Sequence, residues 1–191
     1  MMSFDSISEK AEGLLVRHGL LVRPIPIEKL AEQIGTAIHA EILEDEVSGM
    51  LVTKGSDAHI VVNATHHANR QRFTLAHEIG HFVLHHSATN NDQLFVDRKY
   101  SVYERVGAPT DKRYQGSEST TTVTQEREAN AFAAALLMPK TLLEKYIEEK
   151  KLDLTDESDI SVVAVAFGVS EQAMSIRVRQ LGLCKDESWD W

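Results

Sequence analysis

Hydrophobic positions at helical spacing open the chain. Ala11, Leu14 and Leu15 follow Ser6 and Glu9, which stand at the separation of a capping box, and Gly19 supplies a left-handed stop. They predict a helix over residues 8–18. Pro24 and Pro26 then favour extended backbone, after which Ile27, Leu30, Ala31 and Ile34 return to helical spacing as far as Gly35. Three β-prone stretches come next, at 37–43, 49–53 and 59–63, separated by acidic or Gly-Ser-Asp turn material. Such a series predicts a small antiparallel sheet.

From Asn69, a plausible cap, the pattern is a long helix through His85. Residues 87–123 are rich in Ser, Thr, Asp and Gly and read mostly as loop, with one apolar break at Leu94, Phe95 and Val96. Helix returns over 124–138, stops at Pro139, and resumes over 141–149. Two last helices, 160–167 and 170–181, flank a tight turn at Gly168. Together these elements predict an α+β protein with a main unit over 1–139 and a C-terminal helical appendage over 140–191 packed on it.

Composition narrows the class. A 191-residue chain with 42% hydrophobic residues can bury a core, and a net charge of −9 disfavours broad contact with phosphate backbones. The lone cysteine, Cys184, cannot form an internal disulfide, and the start of the chain lacks a basic and apolar leader. No apolar run approaches the ~20 residues that span a bilayer. The expectation is a cytoplasmic protein with neither a membrane segment nor direct nucleic-acid binding.

Candidate chemistry sits on the long helix. His77-Glu78-Ile79-Gly80-His81 is an H-E-x-x-H motif. Residues four apart on a helix lie about 40° apart around its axis and one turn along it, so the two imidazoles can share one metal ion. Glu78 projects about 100° from His77 and about 60° from His81, beside a metal without ligating it. A general base belongs there, for a water whose pKa the metal depresses toward ~7. Apolar residues flank the stripe on both sides, Phe73, Ala76 and Leu84 on one and Leu75, Ile79 and Phe82 on the other, and partly buried histidines need a partner.

The third ligand must come from elsewhere. His85 is about 12 Å along the helix from His77, too far to share a tetrahedral centre, and suits a hydrogen bond or capping contact at the helix end. Glu128 shares a helical face with Phe132 and Ala135, so its carboxylate would enter the core unless a cation met it. Glu128 is therefore the expected ligand; Glu126, two residues earlier, competes with it, and Asp92 and Asp97 remain open.

The stretch Arg70-Gln71-Arg72-Phe73-Thr74-Leu75-Ala76-His77-Glu78-Ile79-Gly80-His81-Phe82-Val83-Leu84-His85, with Glu128-Ala129-Asn130-Ala131-Phe132-Ala133 and Leu136-Leu137-Met138-Pro139, resembles the ImmA/IrrE family of metallo-endopeptidases. The resemblance extends more loosely from Glu9 to Pro139. It implies a zincin-like fold, a Zn2+ ion held by His77, His81 and Glu128, and Glu78 as the catalytic residue. It also implies a protein substrate, a helix-turn-helix transcriptional repressor often encoded nearby. The alternative is a non-catalytic antirepressor or toxin-like binding protein of the same fold. An extended substrate would add to an edge strand around 49–53.

Other features read as structural. Tyr100, Tyr103 and Tyr114 are candidate oxyanion donors as well as ordinary loop aromatics. The turn at 167–170 resembles a helix-turn-helix, yet residues 156–191 carry seven acidic residues against three basic ones, which favours a packing or partner-docking hairpin.

Overall fold

The computed structural model describes residues 2–54, 57–85, 93–98 and 122–184, the strand 93–98 by its backbone. Their elements run α1 (Phe4–Arg17), α2 (Ile27–Gln33), β1 (Thr36–Glu41), β2 (Val47–Lys54), β3 (Asp57–Asn63) and α3 (Ala68–Leu84). After α3 come β4 (Gln93–Arg98), α4 (Val123–Leu137), α5 (Lys140–Lys150), α6 (Glu157–Phe167) and α7 (Glu171–Gln180). The candidate oxyanion tyrosines and Asp92 lie outside the described residues.

The sheet is mixed rather than antiparallel. Its strand order is β1-β3-β2-β4. The short 54–57 connection makes β2 and β3 an antiparallel hairpin, paired from Gly49↔Val62 to Lys54↔Asp57. β3 then returns between β2 and β1, and pairs parallel with β1 from Thr36↔Ala58 to Glu41↔Asn63. Asn63, fully buried at the end of β3, secures the turn that makes this possible: its Nδ2 donates to the carbonyls of Val47 (2.9 Å) and Glu44 (3.2 Å). The apolar break in the polar stretch forms the fourth strand, antiparallel to β2, with Leu51 opposite Phe95 and Thr53 opposite Gln93. As a result β2 is hydrogen-bonded on both flanks and is not the edge expected at 49–53.

Two caps also differ from expectation. Ser3, not Ser6, caps α1, its side chain accepting from the Ser6 amide, and burial of Ile7 supports the added turn. His67 caps α3 by accepting from the Asn69 amide. At α4, Thr122 and Gln125 make a reciprocal capping box.

One face of the sheet carries α3, and α3 packs on its other side against α4, which in turn meets α1. Gly49 permits this seating, since a Cβ there would stand 2.5 Å from Thr74 Cγ2 and 2.6 Å from the Val61 carbonyl oxygen. The core runs from Leu51 and Ile60 through Ala76 and Ile79 to Phe132 and Leu136, all at or near full burial. The C-terminal helices join it through buried apolar side chains such as Leu143, Phe167 and Met174, and through two arginines. Arg72 of α3 donates from Nη2 to the Ile25 carbonyl (2.8 Å) and from Nε to the Gly168 carbonyl (3.2 Å). Arg177 of α7, 0% exposed, donates from Nε to the carbonyl of Met138, the residue that ends α4. That buried guanidinium is not on the surface where a phosphate could meet it. Among the described residues no single helix is long and apolar enough to cross a membrane.

Candidate metal centre

The helical spacing of the motif does what its geometry requires. His77 and His81 are both buried, and their Nε2 atoms stand 3.0 Å apart. The third donor comes from α4. Glu126 Oε2 lies 3.3 Å from His77 Nε2, and Glu126 Oε1 lies 3.4 Å from His81 Nε2. These three residues are the one group of three or more potential metal ligands among the described residues. Tetrahedral bonds of about 2.0–2.1 Å would separate their donor atoms by about 3.3 Å. The observed spacings bracket that value, so the residues present fit a divalent ion.

Glu128 does not reach the paired imidazoles, contrary to the expectation that it closes the site. Its Oε1 accepts from the Met2 amide at 2.6 Å, and its Oε2 is 3.9 Å from His85 Nε2. Residues two apart on a helix project about 200° from each other, so Glu126 and Glu128 face opposite sides of α4 and only one can meet α3. Burial could not choose between them, because α4 is buried nearly all round from Ala129 to Leu137. The signal that does choose is a four-residue repeat. Asn130, one turn beyond Glu126, faces α3 as well.

Asn130 is a residue of this cluster that the sequence motif does not single out. Its Oδ1 lies 2.9 Å from His77 Nδ1. With that amide oxygen as acceptor, a metal-bound His77 would carry its proton on Nδ1 and offer Nε2 to the ion. His85 ends α3 and contributes a helix-end contact of the kind expected, its Nε2 being 3.3 Å from the Gln125 carbonyl oxygen beside Glu126. Glu78, 0% exposed, sits on α3 between the two histidines in sequence.

Electrostatics prepare the cluster for a cation. Burial pulls the His81 pKa down to about 4 against the raising effect of its Glu126 hydrogen bond, so the ring is neutral at pH 7. For Glu126, burial opposes the charged form, but hydrogen bonds from His77 and His81 outweigh it and hold the carboxyl well below the usual carboxylate range. A neutral imidazole beside an ionised carboxylate is the protonation state that metal binding needs.

Close approach of the two helices rests on Gly80. A Cβ there would lie 3.1 Å from both Cα and O of Ala129. Gly80→Ala gains about 1 kcal/mol of helix propensity but overpacks a contact that costs about 1–3 kcal/mol, so α4 shifts and carries Glu126 with it. The expected result is a fall in metal affinity of about 10-fold or more, measured by competition with a chromophoric chelator, with the far-ultraviolet circular dichroism unchanged.

An α+β scaffold presenting two histidines of an H-E-x-x-H helix to a carboxylate on a second helix defines a metallopeptidase-type centre. Consistent with that class, the profile of the peptidase M78 family, described as the IrrE N-terminal-like domain, matches residues 31–106 and 109–179. The chain belongs to this family of metallopeptidases. It is also similar to the radiation response metalloprotease IrrE of Deinococcus radiodurans, 28% identical over 119 residues. That match takes in 59% of this chain and 31% of the relative, so the chain spans about a third of that protein's length.

Proposed function

We propose that this chain is a zinc-dependent endopeptidase acting in the cytoplasm, with a helix-turn-helix transcriptional repressor as its substrate class. The observation that carries the reading is the set of three donor spacings, 3.0, 3.3 and 3.4 Å, among His77, His81 and Glu126. His77, His81 and Glu126 hold the ion, and Asn130 keeps the His77 ring turned toward it. Bound zinc supplies Lewis acidity, lowering the pKa of water and polarising a carbonyl. Glu78 takes the proton from the attacking water and returns it to the leaving amine, a role its place beside the paired histidines supports. Because β4 fills the outer flank of β2 and is the last strand on that side among the described residues, an extended substrate backbone would add there to β4 rather than to β2.

Turnover is the test. Zinc-loaded protein incubated with a repressor encoded nearby should cut it at a defined bond, seen by mass spectrometry; 1,10-phenanthroline should stop the reaction and added Zn2+ restore it. Binding at one-to-one stoichiometry with the repressor left intact would replace this reading with that of an antirepressor.

A further inference from the structure

A second pair of histidines lies on the sheet, away from the helical centre. His39 of β1 and His59 of β3 are diagonal neighbours on parallel strands, since Ala37 pairs with His59 and His39 with Val61. His39 Nε2 is 3.0 Å from His59 Nδ1, and the rings are stacked with centroids 5.3 Å apart and planes at 30°. This nitrogen-to-nitrogen spacing equals that of His77 and His81. His39 is exposed and His59 partly so.

We propose that His39 and His59 form a second, solvent-facing metal site that takes a transition-metal dication, preferring Cu2+. The inference does not depend on the peptidase reading. Bonds of about 2 Å at right angles separate two cis ligands by about 2.8–2.9 Å, close to the observed distance. Imidazole nitrogens suit copper, nickel and zinc, and the ordering of divalent affinities favours copper. The strand ladder holds the two backbones in register on either side, so little ordering is needed to bring the nitrogens together. Without metal, the two nitrogens share one proton in a water-exposed hydrogen bond that contributes only about 1 kcal/mol. With metal, that proton moves to an outer ring nitrogen, so both inner lone pairs become donors with no net proton loss. Glu41, two residues beyond His39 and on the same face, adds negative charge one pleat away, while Lys54 stands opposite Asp57 at the other end. Water completes the coordination.

Copper titration of the zinc-loaded protein, followed by electron paramagnetic resonance, should show one equivalent with two-nitrogen coupling. His39→Asn and His59→Asn should each remove that signal and weaken copper binding at least ~10-fold, while the double variant His77→Ala, His81→Ala should retain it. Both sheet variants should fold, with the far-ultraviolet circular dichroism of the parent. The proposal is overturned if His39→Asn titrates like the parent, or if the copper signal disappears with the His77 and His81 substitutions instead.

Discussion

Glu126→Ala should abolish stoichiometric zinc binding, whereas Glu128→Ala should leave it intact. The two carboxylates are separated by a single residue, and a comparison of the two variants isolates direction from charge. Glu126 contributes an ionised oxygen to each of the two imidazoles at 3.3 and 3.4 Å. Its loss removes one of three donors and the anionic charge that offsets a dication, so affinity should fall by more than about 100-fold, beyond the ~10–100-fold typical of a lost supporting contact. Glu128 instead accepts the Met2 amide. Truncating it leaves that donor unpaired at a cost of about 1–3 kcal/mol, read as a lower melting temperature with metal content unchanged. Metal analysis after gel filtration, with thermal melts of both apo-proteins, checks the pair. Equal metal loss in both variants would contradict the assignment.

Glu78→Gln should keep the zinc and lose the reaction. The amide matches the carboxylate in shape, but it cannot accept a proton from water at neutral pH. General acid–base catalysis typically contributes ~10²–10⁴-fold, and the loss in kcat should fall in that range with KM little altered. Zinc affinity within about 3-fold of the parent is expected, because Glu78 is not among the clustered donors. A Glu78→Gln protein that cleaves as fast as the parent would remove the carboxylate from the mechanism, while one that cannot retain zinc would show that Glu78 acts on the metal site itself.

Much of this arrangement is legible from local chemistry. The H-E-x-x-H spacing, the helices bounded by Gly19, Gly35 and Pro139, and the three leading strands all follow from periodicity and turn residues acting over a few positions. What escaped is non-local. Nothing within Thr36–Glu41 specifies that its neighbour is β3 in parallel rather than β2 in antiparallel, because that pairing depends on how the chain returns through the Asn63-braced turn. The strand 93–98 is visible in the sequence only as an apolar interruption, since its partner lies 40 or more residues away at β2. Sharing a face with Phe132 and Ala135 points Glu128 into the core but not toward α3, and the geometry brings Glu126 rather than Glu128 to the two histidines. In a helix enclosed on every side the informative property is azimuth, and Glu126 with Asn130 marks the azimuth of α3.

Arg72 bears on how the molecule responds to force. Its single guanidinium ties α3 at once to the N-terminal Ile25 segment and to the Gly168 bend between α6 and α7. The tail helices are thus not luggage strapped to a finished enzyme. Any binder that grips this bend holds a handle whose other end, five residues from His77, is the first turn and a half of the rod on which the His77 and His81 rings are mounted.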